Sequence, residues 1–140
     1  MMNSSVFKTF FFLTILALYF VHVVALFPKY KVVIESRLPA DSPFFLRLRC
    51  QSKDNDLGYH DLKANETFSW EFRTNFSHST LFFCHFYWDT KDAIFDVFDE
   101  KKLYHQCSRT NDGNLCTWLV KADGFYMAFQ RYGIIVTVKM

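Results

Sequence analysis

The feature that most constrains this chain is a set of short segments in which every second residue is apolar. In residues 44–50, arginines at positions 47 and 49 alternate with apolar side chains. Successive side chains of a β-strand point to opposite faces of a sheet, so this period of two is typical of a half-buried strand. The pattern predicts an inward face formed by Phe44, Leu46, Leu48 and Cys50.

Similar patterns predict further strands along the chain. Residues 67–73 place Phe68, Trp70 and Phe72 on one face, and residues 81–88 are apolar on both faces, as in a strand that is covered on both sides. Further strands are predicted over residues 30–36, 93–99, 116–120, 125–129 and 134–138, with the inward face of residues 93–99 ambiguous, and residues 102–107 are strand-like. Residues 51–58 are predicted as a polar loop, and residues 111–114, 121–124 and 131–133 as turns. The chain is therefore predicted to be all-β, a small antiparallel β-sandwich of about seven to eight strands.

The first 25 residues differ from the rest of the chain. Lys8 is followed by an apolar run over residues 10–21, and Val23 and Ala25 supply small residues at positions −3 and −1 of a cleavage site. A transmembrane anchor is the alternative, because residues 10–27 are almost long enough to span a bilayer. The cleavage site favours a signal peptide over residues 1–25 and a mature domain over residues 26–140. We therefore expect a secreted, extracellular product that is not inserted in a membrane after cleavage.

The four cysteines predict two disulfides, because their number is even and a secreted chain folds in an oxidising compartment. No Cys-x-x-Cys or paired-histidine spacing supports zinc. Three connectivities are possible. Cys107 and Cys116 flank the turn at residues 111–114, which can bring their α-carbons within about 6 Å of each other. The favoured pairing is therefore Cys107 with Cys116 and Cys50 with Cys84.

The charge balance argues against nucleic acid as a partner. Removal of Lys8 leaves 15 of the 16 basic side chains against 14 acidic ones, and the two signs are interspersed. A near-neutral, evenly charged domain has no basic surface for nucleic acid or for a membrane. Aromatic residues make up 20% of the chain and include 18 phenylalanines, which suits a small, strand-rich domain with an aromatic core.

Six segments, in this order and at this spacing, carry a resemblance to a known family. They are residues 48–60 (LRCQSKDNDLGYH), 68–72 (FSWEF), 80–88 (TLFFCHFYW), 95–98 (FDVF), 116–120 (CTWLV) and 123–126 (DGFY). By these segments the mature chain resembles the plant self-incompatibility S1 family, the S-protein homologues. One departure is the run at residues 53–56 (KDND), where the family tends to be more uniformly acidic.

The resemblance implies a small secreted β-sandwich that acts as an extracellular ligand and is not an enzyme. The founding members are pistil-side determinants that incompatible pollen detects through a membrane receptor, with calcium signalling and growth arrest as the response. It thus implies a membrane receptor protein as partner, with no catalytic residue and no cofactor, and it leaves the oligomeric state open. The alternatives are a secreted defence protein or hydrolytic enzyme, and a lectin-like binding module.

The polar loop after Cys50 is the candidate recognition loop, with Lys53, Asp54, Asn55 and Asp56 as its exposed residues. Three oxygen-bearing side chains before Gly58 also suggest a calcium loop. The EF-hand pattern fails, however, because the glycine comes one residue early and no helices flank the loop. A polar turn is therefore favoured.

Two sequons, at Asn65 and Asn75, lie in polar segments and are predicted glycosylation sites. The histidines at positions 60, 78 and 85 invite comparison with secreted ribonucleases, which use two histidines as acid and base. No paired histidine motif is present, so structural roles are favoured. The tryptophans at positions 70, 88 and 118 could stack on a sugar, but each lies on the apolar side of a predicted strand, so core packing is favoured.

Overall fold

The computed structural model describes residues 3–102, 104–131 and 134–139, and within them most of the chain is β-strand. One apolar helix precedes the strands. The elements are α1 (Ser4–Ala25), β1 (Lys29–Ser36), β2 (Leu46–Gln51), β3 (Asp56–Leu62), β4 (Thr67–Arg73), β5 (Leu81–Trp88), β6 (Lys91–Asp99), a 3-10 turn (Tyr104–Gln106), β7 (Ser108–Thr110), β8 (Gly113–Lys121), β9 (Gly124–Arg131) and β10 (Ile134–Lys139). The prediction of a mainly β chain is confirmed.

The described strands form two sheets. The larger has the order β10-β9-β8-β1-β4, with β7 also paired to β8, and the smaller has the order β3-β2-β5-β6. Every pairing is antiparallel except that of β1 with β8, which run parallel with Val32 level with Cys116. The expectation of a purely antiparallel arrangement is therefore wrong at this pair. The count of seven to eight strands is also too low, because β3 and β7 lie in polar segments.

Side chains from both sheets share one core. Phe72 of the larger sheet contacts Phe82 of the smaller with ring centroids 4.6 Å apart, and Trp118 contacts Phe95 at 5.1 Å. The indole nitrogen of the fully buried Trp118 donates a hydrogen bond to the Val97 carbonyl at 2.9 Å. Aromatic packing and one buried hydrogen bond thus join the two sheets.

Two disulfides are present, and each lies within one sheet. Cys50 is bonded to Cys84, directly opposite on the neighbouring strands β2 and β5, with α-carbons 4.1 Å apart. Cys107, just before β7, is bonded to Cys116 in β8, with α-carbons 4.4 Å apart. These are the pairings that the sequence favoured. Because neither bond crosses between the sheets, the contact between the sheets depends on side-chain packing.

Two predicted positions are wrong. Phe44 is 50% exposed because β2 begins two residues later, whereas Leu46, Leu48 and Cys50 are buried as predicted. The strand expected at residues 102–107 is absent from the described part of that segment, which contains a 3-10 turn instead. The chain turns there because the amides of Lys101 and Lys102 donate to the side chain and the carbonyl of Asp99.

The predicted loop at residues 51–58 is instead a hairpin with a short turn. β3 begins at Asp56, and the register with β2 shifts between Arg49 and Gln51. Gly58, with φ +76°, lies in the resulting bulge. A second register shift, between β5 and β6, makes the neighbouring residues Val97 and Phe98 both buried. Both shifts break the period of two, which explains why the sequence did not reveal β3 and left the inward face of β6 ambiguous.

The helix α1 is long and apolar enough over Ser4–Val23 to cross a membrane, and a signal sequence near the N-terminus has the same properties. The side chains described for residues 4–22 are exposed. Its composition is compatible with the predicted signal peptide. The turn predicted at residues 131–133 lies partly outside the described residues, since only residue 131 is described.

Candidate recognition site

The candidate recognition residues lie at a tight turn between β2 and β3. The Ser52 amide donates to the Asn55 carbonyl at 2.7 Å, and the Asn55 amide donates to the Ser52 hydroxyl at 3.1 Å. These two bonds close the turn over residues 52–55, which we call the recognition turn. The side chains of Lys53, Asp54 and Asn55 are exposed. The backbone of the turn is therefore held in place while these side chains remain in solvent.

Asp56 has a different environment from its neighbours in the turn. Arg49 donates to both of its carboxylate oxygens, from Nε to Oδ1 at 3.2 Å and from Nη2 to Oδ2, and the Gly58 amide donates to Oδ1 at 3.0 Å. The Arg49 guanidinium, helped by this amide, lowers the pKa of Asp56 to about 2. Because both oxygens bind groups of the hairpin, Asp56 contributes to the site by fixing the turn.

The recognition turn borders a cleft of about 350 Å³ with the loop between β4 and β5 on its other side. This loop contains the sequon Asn75. The two segments are some twenty residues apart in the sequence. The recognition turn joins two paired strands, whereas the loop joins strands of different sheets. Only their polar, turn-rich composition was visible in the sequence, and it did not indicate that they meet.

The side chain of Asn75 is held within its own loop. Its Oδ1 accepts from the Ser77 hydroxyl at 3.1 Å and from the Ser79 amide at 3.0 Å, and its Nδ2 donates to the Ser79 hydroxyl at 3.2 Å. The adjacent Phe76 is 87% exposed. The other sequon, Asn65, lies at the opposite end of β4, where its backbone amide donates a hydrogen bond to the Ser36 carbonyl. The structure therefore places only Asn75 beside the recognition turn.

The outer face of the smaller sheet carries a row of paired charges. Arg47 donates to both oxygens of Asp61, at 2.7 and 2.8 Å, and this pairing lowers the pKa of Asp61. The Arg49 guanidinium lies 5.1 Å from the centre of the exposed Tyr59 ring. Bidentate arginine pairs have a fixed geometry. The face next to the recognition turn is therefore an ordered surface of arginine, aspartate and tyrosine.

The three histidines each have a local partner and lie on separate elements. His60 stacks on Phe68 with ring centroids 3.8 Å apart. His78 Nδ1 lies 2.9 Å from the Glu100 carboxylate. His85 lies between the Tyr87 hydroxyl and the Asp92 carboxylate, at 2.8 and 3.0 Å.

His60 and His85 also lie on opposite faces of the smaller sheet. His60 is level with the buried Leu48, and His85 is level with the outward-facing Arg49. An acid and a base must both reach one substrate. This geometry does not bring these two side chains together for that purpose.

The tryptophans do not form a shared platform. Trp118 is fully buried, whereas Trp70 and Trp88 are half-buried on β4 and β5. Among the described residues, no group of three or more His, Cys, Asp or Glu side chains is placed to hold a metal ion.

Comparison with known proteins identifies a matching family and several similar plant proteins. Residues 31–137 match the family described as plant self-incompatibility protein S1. The chain is 36% identical to S-protein homolog 24 of Arabidopsis thaliana over 61% of this chain and 54% of that protein. It is 37% identical to S-protein homolog 74 of the same plant over 75% and 66% of the two chains, and 32% identical to S-protein homolog 29 over 88% and 86%. The match thus spans about half the length of S-protein homolog 24.

Proposed function

The chain belongs to the plant self-incompatibility protein S1 family, and on this premise we propose that it is a secreted, non-enzymatic signalling-type protein. It acts as an extracellular ligand for a cell-surface receptor, in the manner of proteins that act in the rejection of self pollen. The observation that carries the proposal is the recognition turn, whose backbone is fixed while Lys53, Asp54 and Asn55 are exposed. The apolar α1 supports export from the cell.

A fixed turn with exposed polar side chains suits recognition by another protein. Preorganised groups lose less conformational entropy on binding, so more of their interaction energy contributes to affinity. The ordered arginine, aspartate and tyrosine side chains beside the turn add residue types that often dominate binding energy in protein interfaces. The receptor would therefore contact the β2–β3 hairpin and the outer face of the smaller sheet.

Secretion is tested by expressing the full chain with a C-terminal tag in plant cells. We expect the tagged product in the medium, with an N-terminus at Leu26 by mass spectrometry. Product that stays in the membrane fraction with α1 attached would overturn the proposal of a secreted ligand.

Receptor binding is tested with the secreted product of the full chain on intact plant cells, including stigma and pollen. The double variant Asp54→Ala with Asn55→Ala should bind roughly tenfold more weakly or worse. The matched control is Asn111→Ala with Asp112→Ala, which removes the same two residue types from the exposed turn before β8 and should bind normally. Equal loss in both variants would exclude the recognition turn, and no saturable binding to any cell surface would overturn the ligand role.

A further inference from the structure

The sequon at Asn75 lies on the wall of the cleft that faces the recognition turn. The loop between β4 and β5, residues 74–80, is called the Asn75 loop below, and it supplies Asn75, Ser77 and Ser79 to this wall. Residues 52–55 form the other side of the cleft. Asn75 is exposed, so the folded chain has room for an oligosaccharide at this position. A sugar carried by Asn75 therefore stands at the border of the proposed recognition site.

The hydrogen bonds described for the Asn75 side chain are compatible with an attached sugar. Its Oδ1 accepts from the Ser77 hydroxyl and the Ser79 amide, and its Nδ2 donates one hydrogen to the Ser79 hydroxyl. An asparagine amide carries two hydrogens on its nitrogen. N-glycosylation replaces one of them, and the other is sufficient for the bond to Ser79. The glycosylated side chain can thus retain all three contacts.

The Asn75 loop is also anchored to the end of β6. Glu100, which is buried just after this strand, accepts from the Thr80 amide at 3.2 Å and lies 2.9 Å from His78 Nδ1. The backbone amide of Asn75 in turn donates to the Thr80 hydroxyl at 3.0 Å. These bonds fix the attachment point of a glycan relative to the cleft. A glycan at this point therefore stays beside the recognition turn.

We propose that Asn75 carries an N-linked glycan that covers the recognition turn and so controls the access of the receptor to it. The control of receptor access rests on the proposed ligand function. The donor is a lipid-linked oligosaccharyl pyrophosphate of the secretory pathway. A bond forms between Asn75 Nδ2 and C1 of the first sugar, and the bond from C1 to the pyrophosphate oxygen breaks. The lipid pyrophosphate departs with the bonding electrons, and Nδ2 loses one proton.

The size of the cleft explains why such a glycan covers the turn. The cleft volume is about 350 Å³, near the lower end of the roughly 300 to 1,000 Å³ that holds one drug-sized molecule. The branched core of an N-glycan consists of several linked sugars and is larger than such a molecule. It therefore extends past the cleft to the recognition turn. A cover that leaves the turn open for about one-tenth of the time lowers the apparent affinity of a partner about tenfold.

The first test measures access to the recognition turn without a receptor. The secreted product of the full chain is isolated from plant cells, and peptide mass spectrometry measures the occupancy of Asn75. Ser77→Ala removes the sequon, whereas Ser77→Thr retains it, and both variants keep Asn75. A bulky amine-reactive ester is then applied. The measured quantity is its rate of reaction at Lys53 divided by the rate at Lys121, an exposed lysine that does not line the cleft.

This ratio should be about tenfold higher in Ser77→Ala than in Ser77→Thr, because only the second variant carries the cover. Asn65→Gln is the matched control, since it removes the sequon at the opposite end of β4, outside the cleft, and should leave the ratio unchanged. An unmodified Asn75 in the secreted protein, or equal ratios in the two Ser77 variants, would overturn the proposal. A rise of the same size in Asn65→Gln would contradict the placement of the glycan.

A second control separates the glycan from the Ser77 hydroxyl, which bonds to Asn75. The two Ser77 variants are also secreted from cells treated with tunicamycin, which blocks synthesis of the glycan donor. Without glycans their ratios at Lys53 and Lys121 should be equal. A tenfold difference that persists under this treatment would assign the effect to the loop and would contradict the covering role of the glycan.

Binding to intact plant cells, including stigma and pollen, separates this inference from the ligand role. Ser77→Ala should bind about tenfold more tightly than Ser77→Thr. Equal saturable binding of both variants would overturn the control of receptor access by the glycan. If neither variant binds saturably, the proposed ligand role fails, and the ratio at Lys53 and Lys121 alone decides whether the glycan covers the turn.

Discussion

Asp54 and Asp56 are two residues apart in the same polar segment, yet their surroundings give them different roles. Both side chains are exposed, but Arg49 and the Gly58 amide bind both oxygens of Asp56. The sequence predicted the polar character of both residues. The sequence could not distinguish their roles. Arg49 reaches Asp56 only in the strand register that the bulge at Gly58 produces.

Asp56 should titrate near pH 2 in the folded protein, because Arg49 and the Gly58 amide stabilise its ionised form and lower its pKa from 3.8 to about 2. A pKa lower in the folded state than in the unfolded chain means that the stabilisation is present above about pH 4 and is lost as the pH falls toward 2. Carbon-13 NMR of the carboxyl group measures this pKa.

Arg49→Gln should return the Asp56 pKa toward 3.8. Arg47→Gln is the control, since it removes the equivalent pair with Asp61 and should leave Asp56 unchanged. A native Asp56 pKa close to 3.8 would show that the pair does not persist in solution.

Two tryptophans should respond differently to replacement by phenylalanine. Trp118→Phe removes the hydrogen bond to the buried Val97 carbonyl and should lower the free energy of unfolding by about 1 to 3 kcal/mol. The indole nitrogen of Trp70 is buried and has no hydrogen-bond partner among the described residues, so Trp70→Phe should change stability by less than about 1 kcal/mol. Urea unfolding measures both values, and equal losses would contradict a stabilising role for the Trp118 hydrogen bond.

At the scale of elements, β2 and β3 show where local patterns succeed and where they do not. Leu46, Leu48 and Cys50 alternate with the arginines in a regular strand, and their inward direction was predictable. In β3 the bulge at Gly58 interrupts the alternation, so the segment looks like a loop although it pairs with β2. A pattern of period two detects only those strands that stay in register with their neighbours.

Two glycines should differ in how well they tolerate alanine. Gly58 has φ +76°, and no atom lies within 4 Å of the position that a Cβ would occupy, so Gly58→Ala should cost only the backbone strain, about 1 to 2 kcal/mol. Gly113 has φ +135°, and an added Cβ would lie 2.6 Å from the Lys29 carbonyl oxygen. Gly113→Ala should therefore also push β1 away from β8 and cost more, about 2 to 4 kcal/mol. Chemical denaturation compares the two variants, and a smaller loss at Gly113 would contradict the close approach of these strands.

At the scale of the whole molecule, the two disulfides hold each sheet together and side-chain packing holds the sheets to each other. Cys50–Cys84 closes a longer loop than Cys107–Cys116, with sequence separations of 34 and 9 residues. A longer closed loop removes more conformational entropy from the unfolded chain. The bond in the smaller sheet should therefore stabilise the molecule more.

The variant Cys50→Ala with Cys84→Ala should lower the free energy of unfolding by about 3.8 kcal/mol. The variant Cys107→Ala with Cys116→Ala should lower it by about 2.7 kcal/mol. Urea unfolding of the two double variants tests this order. Peptide mapping without reduction checks the pairing itself, and a peptide that joins Cys50 to Cys107 or Cys116 would contradict it.

The sequence by itself determined the properties that arise from neighbouring residues. Alternation set the inward direction of Leu48 and Cys50 and the outward direction of Arg47 and Arg49, and the apolar run before Ala25 distinguished the N-terminal helix from the strands. The tertiary structure alone decided the parallel pairing of β1 with β8 and the meeting of the recognition turn with the Asn75 loop. Alternation follows from the covalent geometry of adjacent residues. The contacts between distant segments depend instead on which side chains, far apart in the sequence, bury the most apolar surface when they pack together.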